Sequence, residues 1–412
     1  MTSRWINFFS AFRIRNYRFQ FLSDSCASWA FEMEILILGW FILTVTNSPF
    51  LLSLFAALTF TGSILTPFFG VWVDRFDCRS LLIGLRVTYA VLAAAIMILA
   101  FLDNIQPWQL LIISGVAGVI RPSDWVARNI LVSKLVPAEN LDNALGFSRT
   151  TLDSAKIMGA LLGAGLFSAL GIGPAYAVVV GVYCISICCS LGIDRQPVEP
   201  DGVSKPLTAF KEGIGYLSSE PTLVTFLVLA FAVNLTAIPI GLGFLPVVAR
   251  DLYGMDENGL AWLVASMGFG AILGAVVVAT RLRGFRLTRV VIVGTILWHF
   301  LIMFLGMVSN PMLGASVIFC IGISYTIVIV SLSILIINET PPEFRGRIYG
   351  IRMLAVFGLP VGLLSGGFVI ENYGVEFALS VFGAVGILLT IAIYSRCLHL
   401  WNITSSVNQR VR

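Results

Sequence analysis

Charge is scarce in this chain. Only 12% of its 412 residues are Asp, Glu, Lys or Arg, while 58% are hydrophobic. An ordinary soluble domain carries about 25% charged residues. A soluble chain of this length would divide into two or three domains, each needing its own polar coat. The shortage excludes that class, and a mean hydropathy of +0.93 agrees. Histidine is scarcer still: the two, His299 and His399, cannot build a multi-histidine metal centre. The seven cysteines sit mostly inside apolar runs and show no CxxC spacing with histidine partners. They read as buried thiols rather than a disulfide framework or metal site. A net charge of +4 is far from that of a nucleic-acid binder. No GxxxxGK[ST], HExxH or GxSxG pattern is present, so neither nucleotide-driven work nor an enzyme is expected, and no cofactor or metal.

What is present is a succession of long apolar runs. A helix needs about 20 apolar residues to cross the hydrocarbon core. Windows of that size give spans over 17–46, 50–73, 80–102, 107–131, 142–170 and 174–193, then 221–249, 257–280, 288–308, 312–337, 345–370 and 375–396. The runs do not alternate apolar with polar, which excludes barrel strands. The expectation is an all-α polytopic membrane protein with twelve transmembrane helices. The first run is too long for a signal-peptide core and lacks a small-residue cleavage site. Twenty-one basic residues fall on the side of the termini and the even-to-odd loops, and one, Arg250, falls on the other. By the positive-inside rule both termini are expected in the cytoplasm of a bacterial inner (plasma) membrane.

The twelve spans divide into two sixes. The stretch 194–220 holds Pro197, Pro200 and Pro206 and reads as a cytoplasmic linker between bundles at 1–193 and 221–412. Its second part, Leu207–Ser219, has the pattern of an amphipathic surface helix. An offset of 204 matches Gly70 with Gly274, Pro137 with Pro341, Glu139 with Glu343, Gly146 with Gly350 and Gly163 with Gly367. Each pair occupies the same place in its half, as in two parallel six-helix pseudo-repeats.

The loop after the second span contains Gly70, Asp74, Arg75 and Arg79. It resembles the signature loop of the major facilitator superfamily, G-x-x-x-D-R-x-G-R-[RK], with Asp77 and Cys78 departing from the usual Gly and Arg. Further text resembles the exporter branch that includes enterobactin and macrolide efflux proteins: Thr46 to Pro49, Leu135 to Glu139 with Asn143 and Ala144, Phe210 to Gly213 with Tyr216 and Leu217, and Pro341 to Arg347. The resemblance implies a monomeric secondary transporter working by alternating access on a small organic compound, siderophore-like or drug-like, with export against inward proton flow. It also implies a gating role for Gly70, Asp74, Arg75, Arg79 and Arg352. In the family the aspartate at the Asp74 position meets the N-terminus of span 11, where the helix dipole stabilises a carboxylate. The antiporter pattern G-x-x-x-G-P-x-x-G-G is only partly matched, because Gly159, Gly163 and Gly165 lack the proline. Gly159 and Gly163 also have the spacing of a close helix contact.

Ionisable residues at membrane depth are expensive and mark function by default. Nine sit in spans 1, 4 and 5: Asp24, Glu32 and Glu34; Arg121, Asp124 and Arg128; Arg149, Asp153 and Lys156. The last two triplets each lie on one helical face. At about 1.5 Å per residue, Asp24 matches Arg121 in depth and Glu32 matches Lys156. Glu32 and Glu34 point roughly 200° apart, so both cannot face one cavity without distortion. Asp24, Glu32, Glu34 and Asp153 are candidate proton carriers. Arg121, Asp124 and Lys156 are candidate ligands for a polar or anionic substrate. Arg128 and Arg149, nearest the cytoplasmic edge, read as structural. The second half offers Asn234, Trp298 and Tyr325 as substrate-binding candidates on a more apolar, aromatic wall. That asymmetry suits an amphipathic molecule. An importer or lysolipid flippase on the same fold is the alternative transport reading, and a non-transporting membrane sensor the remote one.

Overall fold

A computed structural model describes residues 10–65, 77–195, 206–281 and 285–395. It is helical throughout these segments. Helix α1 spans Arg15–Thr46, α2 Pro49–Leu58, α3 Cys78–Phe101, α4 Pro107–Leu135, α5 Ala138–Leu170 and α6 Ile172–Leu191. After α7 at Pro206–Ser219 come α8 at Pro221–Thr236, α9 at Glu257–Arg281, α10 at Leu287–Leu305 and α11 at Pro311–Asn338. Three more follow: α12 at Arg345–Ala355, α13 at Gly358–Tyr373 and α14 at Val375–Ser395. Among the described residues, ten helices are long and apolar enough to cross a membrane. The apolar α2 runs toward residues 66–76, which lie outside the described set. Helix α5 has 33 residues, about 50 Å of rise, and carries Arg149, Asp153 and Lys156.

Local chemistry sets the helix starts. Proline opens α2, α4, α8 and α11, where its missing N–H costs nothing. Asn310 caps α11 by accepting from the amides of Met312 and Leu313. Asp77, which departs from the family's glycine, caps α3 through the amides of Arg79 and Ser80. The seventh span is not uniform: α8 ends at Thr236, and the chain continues with π-helical turns at Ile240–Phe244 and Val248–Leu252. Span 11 is interrupted between α12 and α13.

Chain contacts form two compact units. The first contains Met1–Phe41 and Leu65–Val203, and the second Ile42–Ile64 and Ser204–Arg412. In the first unit α1 meets α5 at two glycines. A Cβ on Gly159 would fall 2.6 Å from Glu32 Cβ, and one on Gly163 would fall 3.0 Å from Met33 Cα. In the second unit Ser48 caps α2 and also donates to Glu371 Oε2 at 2.5 Å, while the Phe50 amide reaches the same oxygen at 3.0 Å. Gly367 lies directly against Ser53 there. The repeat equivalents Gly163 and Gly367 thus both permit a close helix approach. Helix α7 forms where the amphipathic pattern placed it, with part of its surface docked on another helix: Glu212 pairs with Arg347 at 2.9 Å, and Tyr216 stacks on Phe344 at 4.4 Å.

Candidate functional site

The intramembrane charges of the first unit converge on Asp24. Gln20, Asp24 and Ser28 share one face of α1 at i, i+4 spacing. Gln20 donates to Asp24 at 2.7 Å. From α4, Arg128 Nε lies 3.5 Å from Asp24 and 2.7 Å from Asp124, and its Nη1 donates to Ser28 at 2.9 Å. From α3, the fully buried Arg86 donates to Asp24 and to the hydroxyls of Ser23 and Ser190. Ser23 also hydrogen-bonds Ser186 on α6. Two carboxylates and two guanidinium groups therefore pair across three helices, with Arg86 Nε and Asp124 Oδ1 left without a hydrogen-bond partner among the described residues. A buried ion is tolerated only when paired in this way.

Matching depths along the helices pairs Asp24 with Arg121; the structure gives Asp24 Arg86 and Arg128 instead. The reason is an edge error. Helix α4 runs to Leu135, four residues past the expected end of span 4, which carries Arg128 about one turn deeper. Arg128 consequently belongs to the buried network rather than to the helix edge. Arg86, credited to the cytoplasmic side in the basic-residue tally, is buried as well. Its position inside the third apolar run was the available signal.

Arg121 sits higher on α4, before Pro122, which lacks the amide that would bond the Gly118 carbonyl. Its guanidinium lies over the Phe31 ring. The two glutamates of α1 do diverge. Glu34 accepts a 2.6 Å hydrogen bond from Tyr183 on α6, whose ring lies 6.0 Å from that of Tyr89 on α3. The turn bearing Glu32 packs on α5 at Gly159. Lys156 precedes Gly159 by three residues and so shares its helix face. The side chain of Asp153 lies outside the described residues.

In the second unit Asn234 is buried and donates to the Ala230 carbonyl at 2.8 Å. Trp298 is 1% exposed, and Tyr325 packs edge-on against it at 5.4 Å. Neighbouring His299 bonds Thr236 through Nε2 and the Thr295 carbonyl through Nδ1, each at 2.8 Å. Of the gating candidates, Gly70, Asp74 and Arg75 lie outside the described residues. Arg79 donates to the carbonyls of Ser190 and Leu191 at the C-terminus of α6, where the helix dipole favours a cation. Arg352 donates to Ser333 at 2.7 Å. Tyr183, Ser23, Ser186 and Ser190 were not singled out from the sequence, because uncharged polar residues inside apolar runs gain meaning only when the helices, here α1 and α6, are brought together.

An all-helical chain with ten candidate membrane spans among its described residues and a buried charge network has the features of a polytopic membrane protein. The sequence profile of the Major Facilitator Superfamily matches residues 21–357, and the chain belongs to that family. It is accordingly a secondary transporter of a small molecule, integral to the membrane, and not an enzyme. The chain is similar to macrolide efflux protein A of Streptococcus pyogenes, at 22% identity over 84% of this chain and 87% of that protein. It is also similar to the multidrug resistance protein MdtG of Proteus mirabilis, at 26% identity over 76% and 77% of the respective chains. The crystal structure of the nucleoside transporter NupG superposes with a TM-score of 0.75 at 12% identity, covering 94% of this chain and all of that one. A bacterial homologue of the lysosomal transporter Spinster, crystallised inward-facing and occupied, gives a TM-score of 0.71 at 12% identity over 93% and 96%.

Proposed function

We propose that the protein exports a small amphipathic organic compound, in exchange for protons, by alternating access. The observation that carries this reading is the buried charge network of the first unit. Its helices hold more ionisable groups than packing requires, and such groups mark ion or substrate pathways. The efflux proteins among its relatives support the outward direction. We place the proton exchange on Asp24, Glu32, Glu34 and Asp153. Arg121, Asp124 and Lys156 contact the polar part of the substrate, and Asn234, Trp298 and Tyr325 the apolar part. Gly70, Asp74, Arg75, Arg79 and Arg352 act in gating. The protein works as a monomer in the bacterial inner membrane, with termini and linker cytoplasmic.

Proteoliposomes test this. A stabilisation screen of the purified protein at two pH values, with erythromycin in the panel, selects a transported compound. Its flux is then followed under an imposed pH gradient and in counterflow. Wild type should show both. Glu32→Gln should abolish gradient-driven flux and keep counterflow. If the pH gradient neither drives nor follows movement of the compound, the proton-exchange reading is wrong.

A further inference from the structure

The segment Ile42–Ile64 closes the first apolar run and opens the second, so by chain order it belongs to the first six-helix half. It clusters instead with the second unit. Two sets of polar contacts hold it there. Glu371, near the end of α13, accepts from the Ser48 hydroxyl at 2.5 Å and from the Phe50 amide at 3.0 Å. Its carboxylate thus sits at the N-terminus of α2, where free amides and the helix dipole favour a negative charge. Arg250, in the π-helical turn Val248–Leu252, donates through Nη1 to the Leu43 carbonyl at 2.7 Å and to Asn47 Oδ1 at 3.2 Å. Further along α2 the seam passes between small residues. Ser53 lies directly against Gly367, and Ala56 Cβ lies 3.5 Å from where a Cβ on Gly243 would stand. Small residues let two backbones approach closely. The Ser53 hydroxyl is buried in this seam without a hydrogen-bond partner. Such a group costs free energy for as long as water is kept from it. Glu371, by contrast, is exposed, and its bonds can be exchanged for bonds to water. The seam is therefore fastened at its rim by replaceable contacts, while its interior holds a group that gains by opening.

We propose that Glu371 and Arg250 form a releasable clasp: with their partners engaged, the seam along α2 is shut, and their release shifts the population toward a state in which it opens. The proposal rests on the alternating-access reading and deepens it. It assigns the closure on the side away from the termini to residues outside the gating set of Gly70, Asp74, Arg75, Arg79 and Arg352.

Thiol labelling of the purified protein in neutral detergent tests the clasp, with a sulfonated maleimide as probe and peptide mass spectrometry to resolve each site. Ser53→Cys and Ala56→Cys place reporters in the seam, and each should label far more slowly than in SDS-unfolded protein. A buried thiol reacts in proportion to its open population. Glu371→Ala, at an exposed helix position, and Arg250→Gln should each raise the rate at both reporters by about tenfold, the scale of one hydrogen bond to a charged group. Glu371→Gln keeps an acceptor and should raise it less. Glu376→Gln, at an exposed carboxylate outside the clasp, should leave it unchanged. The native Cys78, buried in the first unit, reports general loosening and should keep its rate throughout. Unchanged rates at both reporters in Glu371→Ala and Arg250→Gln, or a rise matched at Cys78, overturns the proposal. So does labelling of both reporters at the unfolded rate in the otherwise natural chain. The readout needs no substrate, flux or pH gradient, and counterflow by the natural chain tests alternating access without these variants, so the two readings fail separately.

Discussion

Asp24 has more positive charge around it than its own helix supplies, and the sources are Arg86 on α3 and Arg128 on α4. Removing either partner leaves the other buried and uncompensated, a change that costs about 3–5 kcal/mol when a buried pair is broken. Asp24→Asn and Arg86→Gln should each lower stability on this scale in reversible SDS unfolding of the detergent-solubilised protein. The double variant should lose at least about 1 kcal/mol less than the sum, because each substitution removes the reason for the other's cost. Strict additivity would show that Arg128 alone neutralises Asp24. The sequence made Asp24 legible as a functional residue, because a carboxylate inside an apolar run is conspicuous. It did not make Arg86 legible. An arginine seven residues into a span reads as an edge charge until the helix is placed, and its three acceptors lie on α1 and α6, distant in sequence. The divergence of Glu32 and Glu34 was legible, since it follows from the 100° step of one helix alone.

Single helices and their contacts carry the next level of organisation. The Gly159–Gly163 spacing announced a close helix contact, and α1 supplies the partner backbone at Met33. A valine at Gly163 must displace that backbone. Gly163→Val should therefore lower thermal stability and disturb the α1–α5 seam on which Glu32 lies. A Cβ on Gly165, by contrast, would meet no described atom of another element within 4 Å. Gly165→Ala should be neutral or slightly stabilising, as expected for removing a glycine from a helix. Equal losses in both variants would refute the seam as the cause. At the C-terminal end of α11, burial and then the charge of Glu220 hold the Glu339 carboxyl above its ordinary range. A raised carboxyl in the folded state weakens stability as pH rises from the ordinary glutamate value through the raised one. Glu339→Gln should raise the melting temperature at pH 7–8 and give little gain near pH 4. A gain of the same size at both values would remove the charge from the explanation. The amphipathic pattern showed that α7 is a helix. It did not show the Tyr216–Phe344 stack, because an apolar face on a short helix fits lipid and protein equally well.

At the scale of the molecule, orientation depends on charge counts rather than on any contact. Arg86 is buried and has to leave the tally, yet the remainder is still twenty basic residues against one. The exception, Arg250, is not a loose topology signal: it pairs with Asp251 at 2.5 Å and donates to the Leu43 carbonyl at 2.7 Å and to Asn47 at 3.2 Å. A basic residue fixed by local partners does not compete with twenty on the opposite face, and the positive-inside bias acts through short loops of the kind that join these spans. Reporter fusions should therefore separate the faces. Alkaline phosphatase joined after Asp103 or Gly254, both at turns with positive φ, should be active, and the same enzyme joined after Ser204 in the linker should be silent. A fluorescent protein at the C-terminus should mature and fluoresce. The reverse pattern would invert the orientation.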